Sequence, residues 1–288
     1  MTHDSFLSWW NERGAKSFDA ILFDIDGTLI NGGRALSGAE ETLEWLRNTG
    51  FPFRLLTNDG NHSPEEKSGF LRAAGIEITP DEIISCCHAL GSVAECLGLK
   101  DRKVFVLGDL GKPSFAERAG MVHCDDLRQI EECAAVIVGE GVYDWQPHIT
   151  AALNYFAKRP DGIMIAPNPD TYWPDGKGGF GIGAGATARF LSTILTEMGL
   201  RHNPIYLGKP YPAIYDYAIE EITEHFKLPS IPSTGRVLML GDSLQSDIKG
   251  ARSCGMRSGL LLTGITGAAQ AELAACECRP DMIFKHLG

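Results

Sequence analysis

The residues of this chain whose types and settings could do chemistry together are two carboxylates at Asp24 and Asp26, the pair Thr57-Asn58, Lys209, and two more carboxylates at Asp242 and Asp247. Asp24 and Asp26 follow the unbroken apolar run Ala20–Phe23 and precede a Gly-Thr turn. Such a run suits a short strand buried on both faces of a parallel sheet. The other groups also close stretches that read as strands: Thr57-Asn58 follows Phe51 to Leu56, Lys209 follows Ile205 to Leu207, and Asp242 follows Val237 to Leu240. Open α/β sheets gather their ligand-binding and catalytic groups at the carboxyl ends of strands. Four strand ends would then bring residues from both ends of the chain to one rim. Carboxylates that face one another repel unless a cation sits among them. Hard oxygen ligands in an incomplete protein cage favour Mg²⁺, which keeps some waters and takes up substrate phosphate. Lys209 and Thr57 would hold the anion. A bare Asp-x-Asp-Gly is more simply a turn with a solvated acidic neighbour, so the ordered set carries the reading rather than any one member.

The elements that must position these groups follow from periodicity. Gly38 to Asn48 reads as a helix with Ala39, Leu43 and Leu46 on one face and Gly50 as its stop. A second helix starts at Ser63, a natural N-cap, with Pro64 in its first turn, Glu66 completing a capping box and Gly75 as the stop. The loop between Thr57 and that helix offers backbone N–H groups near a helix N-terminus, an anion site. Strand, polar loop and helix recur, so the expected class is α/β with a doubly wound parallel sheet. Between 86 and 203 the pattern continues without the carboxylates, with strands at Val104–Leu107, Ala135–Val138 and Ile163–Ala166. This stretch reads as an α/β module inserted into a core formed by 1–85 and 204–288. Ile205–Leu207 is assigned to the core, Tyr211 to Phe226 is helical, and Met282 to Phe284 is an edge strand. At the N-terminus, Phe6, Leu7, Trp9 and Trp10 would line one side of a short helix that clamps the core.

Composition narrows the function further. The 288 residues are 44% hydrophobic and 22% charged, ordinary globular values. A formal charge of −11 argues against nucleic acid or an anionic membrane as partner. No apolar run approaches a bilayer span, and the first 18 residues lack a signal-peptide pattern. Eight cysteines without zinc spacing, in a chain of this length, fit reduced thiols in the cytoplasm. Two strings are decoys. Gly181-x-Gly183-x-Gly185 does not complete a dinucleotide loop, and Gly108 to Ser114 has the wrong glycine spacing for a P-loop.

The string Asp24-Ile25-Asp26-Gly27-Thr28-Leu29 behind a buried strand resembles the opening motif of the haloacid dehalogenase (HAD) superfamily, most of whose members are magnesium-dependent phosphatases with a Rossmann-like core. Thr57, Lys209, and Asp242 with Asp247 are similar to its second, third and fourth motifs. An insertion between the second and third motifs and the spelling Gly-Lys-Pro at Lys209 resemble subclass IIA, where the inserted module is a cap. The resemblance implies Asp24 as nucleophile, Asp26 as acid/base, and Thr57, Asn58 and Lys209 as phosphate-binding residues. It further implies a Mg²⁺ site of Asp24, the Asp26 carbonyl and Asp242, with Gly27, Ser243 and Asp247 in support. Asn168, Asp170 and Gly183 are similar to cap elements that read the substrate. Asp59 departs from the branch and adds negative charge near the phosphate site. The implied activity is hydrolysis of a small phosphorylated metabolite through an aspartyl phosphate. A phosphosugar phosphotransferase or mutase and a non-enzymatic Asp phospho-acceptor domain are the alternatives. The substrate and the oligomeric state, a homodimer included, stay open.

Overall fold

The computed structural model describes residues 2–174 and 178–288. The chain divides into two units, Met1–Thr57 with Lys67–Ile84 and Lys209–Gly288, and Asn58–Glu66 with Ser85–Gly208. The fold is α/β, a doubly wound parallel sheet with a second α/β unit of its own sheet.

The first unit is built on a seven-stranded sheet ordered Thr2–Ser5, Met282–His286, Arg257–Leu261, Val237–Gly241, Ala20–Phe23, Phe53–Thr57, Ile83–Ser85. The pairings from Thr2–Ser5 through Phe53–Thr57 are all parallel. Ala20–Phe23, Phe53–Thr57 and Val237–Gly241 are buried along their whole length, and apart from the buried Arg54 and the closing Thr57 they carry no polar side chain, as strands covered on both faces require. From Ala20–Phe23 the chain steps outward one way through Phe53–Thr57 and later the other way through Val237–Gly241. That reversal is the switch point at which such sheets open a crevice for ligands. The helix Ala39–Thr49 buries Ala39, Leu43 and Leu46 and stops at Gly50, whose φ of 65° suits glycine.

The core of this unit gathers Phe6, Trp10, Phe23, Leu43, Leu55, Leu240 and Phe284. The helix Phe6–Glu12 buries Phe6 and Trp10, one turn apart. The Phe6 ring meets Phe284 edge-on at 5.4 Å, so the segment is a clamp on the core. Met282–His286 corrects the edge-strand expectation, because Thr2–Ser5 pairs on its outer side. Thr2–Ser5 has no apolar pattern and alternates between exposed and half-buried, so its edge pairing left no sequence signal.

The second unit holds a parallel sheet ordered Ile205–Tyr206, Ile163–Ala166, Ala135–Val138, Lys103–Leu107, Val122–Cys124. Ile205–Tyr206 was expected in the first sheet, yet it pairs with Ile165 and Ala166 here. So short an apolar run as Ile205–Leu207 carries no information about its partner. Phe105, Val136, Val138, Phe156, Ala188 and Leu191 form this unit's core. Tyr172–Pro174 and Phe180–Ile182 pair as an antiparallel ribbon before the helix Ala184–Glu197.

Candidate active site

In the first unit, Asp24 and Asp242 leave the carboxyl ends of neighbouring central strands, and Thr57 closes the next one. Asp24, Asp242 and Asp247 are buried and each offers a carboxylate oxygen within 4.8 Å of the others. Lys209 is 2% exposed; its Nζ donates to Asp24 Oδ1 at 2.5 Å and to the Leu56 carbonyl at 2.9 Å, and lies 2.7 Å from Asp247 Oδ1. Asp247 Oδ2 accepts from the Ser243 amide at 3.0 Å, and Asp242 Oδ2 from the Ile265 amide at 2.7 Å. Asp247 and Ser243 thus fix the lysine from the loop after Val237–Gly241.

This crowding requires glycine beside it. At Gly27, with φ +90°, a Cβ would stand 2.3 Å from Asp242 Oδ2, and at Gly241 one would stand 2.2 Å from the Asp247 carboxylate. Thr57 is buried at its strand end.

Three buried carboxylates face one buried ammonium, and the electrostatics register the excess. Burial pushes the Asp24 carboxyl up to about 7 despite Lys209, with Asp247 and Asp26 adding to the rise. Burial also lifts Asp242 well above the usual carboxylate range, helped by Asp24 and Asp247. Burial works against the Lys209 ammonium, but Asp24 and Asp247 overcome it and raise its pKa. Carboxylates that hold protons this strongly are a site short of positive charge, and an all-oxygen donor set with that deficit fits a hard divalent cation.

Asp26 is not part of the carboxylate cluster. Its side chain is 60% exposed, and Oδ2 accepts from Lys67 Nζ at 2.8 Å. Sequence reasoning missed Lys67, because nothing in the helix Pro64–Ala73 marks one lysine as facing a particular strand end.

In the second unit, Asn58, Asn168, Asp170 and Gly183 come together. Asn58 Nδ2 donates to Asp170 Oδ2 at 2.9 Å, and the Asp170 amide to Asn168 Oδ1 at 2.8 Å. The Gly183 amide donates to the Thr171 carbonyl at 2.9 Å, and a Cβ there would meet the Asp170 carbonyl at 2.2 Å. Gly185 approaches the Pro169 carbonyl just as closely, so this glycine string is tight packing rather than a nucleotide loop. Glu140 was also missed. It is 8% exposed and accepts from Asn168 Nδ2, from Asn61 Nδ2 at 3.1 Å and from the Ala184 amide at 3.2 Å. Burial pushes it up to about 7 against those donors, with Asp59 adding to the rise. A signal existed, since Glu140 stands just past the carboxyl end of Ala135–Val138, the setting that singled out Asp24.

The loop after Thr57 uses up much of its own donor capacity. The Asp59 carboxylate accepts from the Asn61 and His62 amides at 3.0 and 3.3 Å and lies 2.9 Å from His62 Nδ1. At the helix start the capping box forms, with the Ser63 amide donating to Glu66 Oε2 and the Glu66 amide to Ser63 Oγ. Lys112, in the second Gly-Lys-Pro string, is exposed, and its amide also donates to Glu66 Oε2 at 3.0 Å.

Comparison with known proteins agrees with this geometry. A family model described as haloacid dehalogenase-like hydrolase matches residues 21–122, and a HAD-hydrolase-like model matches 206–288. Chronophin of Bos taurus is 32% identical over 91% of this chain and 90% of its own. The chain belongs to the HAD-like hydrolases. Within that superfamily it is a phosphatase of subclass IIA. The acid sugar phosphatase of Staphylococcus haemolyticus is 27% identical over 94% of this chain and 95% of its own. A structure from Cytophaga hutchinsonii, described as a possible sugar phosphatase of the HAD superfamily, is 26% identical with a TM-score of 0.81, covering 99% of this chain and 98% of its own. No helix among the described residues is long and apolar enough to cross a membrane.

Proposed function

We propose that this HAD-like phosphatase is Mg²⁺-dependent and hydrolyses a small phosphate monoester through an aspartyl phosphate on Asp24. The observation that carries the reading is the buried trio Asp24, Asp242 and Asp247 set against the buried cation Lys209. Asp24, the Asp26 carbonyl and Asp242 would hold the metal, whose charge would keep Asp24 ionised and neutralise the phosphoryl oxygens.

The chain's own residues would act as follows. The Asp24 carboxylate attacks phosphorus, forming the Asp24–phosphorus bond as the ester bond breaks, and Asp26 gives its proton to the departing ester oxygen. Asp26 then takes a proton from water, whose oxygen bonds phosphorus as the acyl phosphate breaks, freeing inorganic phosphate and restoring Asp24. Asp26 stands two residues past Asp24 and is exposed, which suits a group that must meet both leaving group and water. Lys209 and Thr57 would bind the phosphoryl oxygens, Asn58 would assist them, and Asp247 would orient Lys209.

The unit containing Asp24 would be the catalytic core, and the unit containing Asn168, Asp170 and Gly183 the cap that reads the leaving group. The names of the relatives support a small phosphorylated substrate, sugar phosphates among them. All eight cysteines are free, which fits a cytoplasmic location. The test is a screen of phosphorylated metabolites with Mg²⁺ and with chelator. Phosphate release that needs the metal and disappears in Asp24→Asn supports the reading, and release unaffected by chelator or by Asp24→Asn refutes it.

A further inference from the structure

We propose that Lys67 is a positioning residue for proton transfer, holding Asp26 by one carboxylate oxygen so that the other meets the leaving group of an unactivated alkyl phosphate. The inference rests on the reading of Asp26 as the acid/base. Its basis is the setting of Lys67. The side chain is 9% exposed, while the Asp26 side chain it pairs with is 60% exposed. An exposed aspartate ordinarily samples several rotamers. A 2.8 Å ion pair to a lysine that is itself enclosed by protein restricts it.

The location of the lysine is otherwise unfavourable. Lys67 is the fourth residue of the helix Pro64–Ala73, behind Glu65 and Glu66, where the helix dipole favours anions and disfavours cations. Burying the ammonium adds a desolvation cost. The ion pair of Nζ with Asp26 contributes to offsetting both costs. The grip is on Oδ2, so the carboxylate still has Oδ1 to exchange a proton with the ester oxygen and later with water. In this role Lys67 acts through Asp26 and is not itself a party to the proton exchange.

The selectivity of that role gives the test. An alkyl phosphate leaves as a strongly basic alkoxide and needs the proton, whereas p-nitrophenolate is a weak base and departs without it. We compare kcat/KM, which reports the first phosphoryl transfer, for p-nitrophenyl phosphate and for the alkyl phosphate turned over fastest in the screen. Lys67→Met is expected to lower the alkyl value by about 10²-fold, the lower range of what a positioned proton donor contributes, and the p-nitrophenyl value by less than about threefold. Lys67→Arg should recover at least about tenfold of the alkyl loss. Because the ratio of the two substrates is taken within each variant, a partly unfolded preparation cancels. In an Asp26→Asn background, Lys67→Met should leave the ratio unchanged. An equal loss on both substrates, no loss on either, or a further change of ratio without Asp26 would overturn the proposal. Activity that survives Asp24→Asn would instead refute the underlying phosphatase reading, whatever Lys67 does.

Discussion

At the scale of single residues, the site is a problem in charge. Asp24 is useful as a nucleophile only when ionised, yet burial holds its proton to about 7 with Lys209 as the nearest cation. Asp24→Asn keeps the size of the side chain and removes the oxygen proposed to attack phosphorus together with one negative charge. It should therefore leave the fold intact and reduce phosphate release to below about one per cent, a loss of at least the 10²-fold from which the contribution of a proton-transfer group starts. Residual turnover above that level, measured on a preparation with native circular dichroism, would rule out Asp24 as the nucleophile. The chain's two Gly-Lys-Pro strings allow a sharper comparison. Lys209 is buried against Asp24 and Asp247, whereas Lys112 is exposed. Lys209→Ala should cost about 10²-fold or more in kcat, the scale of losing one electrostatic stabiliser. Lys112→Ala should stay within about threefold, as surface substitutions do. The opposite ranking would mean that the phosphate-balancing cation lies at Lys112. The carboxylates were readable in the sequence because they stand where strands end. Lys67 was not, because its pairing depends on how one helix is rotated against one strand end, and spacing does not encode that.

At the scale of elements, sequence pattern recovered what depends on the chain's neighbours and missed what depends on distant partners. The capping box at Ser63 and Glu66, the Gly50 stop and the buried runs Ala20–Phe23 and Ala135–Val138 are local. The edge strand Thr2–Ser5 and the sheet to which Ile205–Tyr206 belongs are decided by pairings far along the chain. The loop Asn168–Asp170 lies between these cases, since its residues were singled out but the Glu140 that anchors it was not. This division of labour predicts different behaviour for two aspartates. Asp242→Ala, in the carboxylate trio, should weaken Mg²⁺ binding and slow all substrates by a common factor. Asp170→Ala releases Asn58 and should instead reorder the substrates, with changes of about 1–3 kcal/mol in relative kcat/KM, the usual scale of discrimination by a single recognition group. A panel of at least ten phosphate esters assayed on both variants separates the two. A common factor in both would remove Asp170 from specificity.

At the scale of the whole molecule, the same buried carboxyls govern stability. Asp24 and Glu140 are raised from 3.8 and 4.5 to about 7, and Asp242 is raised well above its usual value. Each binds its proton more tightly folded than unfolded, so the stability it contributes is full below 3.8–4.5 and is lost as pH rises through about 7. Groups shifted the other way, such as Asp19 and Glu82, act at lower pH, where they lose stability as the solution is acidified below the ordinary carboxylate range. The net charge of −11 works in the same direction as the raised groups, since self-repulsion grows as the remaining carboxyls ionise. In chelator, the protein should therefore melt at a higher temperature near pH 5.5 than near pH 8. On the proposed reading Mg²⁺ would bind the ionised form of the Asp24 and Asp242 site, so it should raise the melting temperature at pH 8 more than at pH 5.5 and flatten the profile. Glu140 lies among Asn61, Asn168 and Ala184, and its share, at most about 3 kcal/mol from the size of its shift, should survive the metal and disappear in Glu140→Gln. Calorimetry of parent and variant at both pH values, with chelator and with Mg²⁺, reads each share separately. A chelated protein more stable at pH 8 than at pH 5.5 would show that these raised carboxyls do not govern the pH dependence of the fold, and would remove the charge deficit as an argument for the cation.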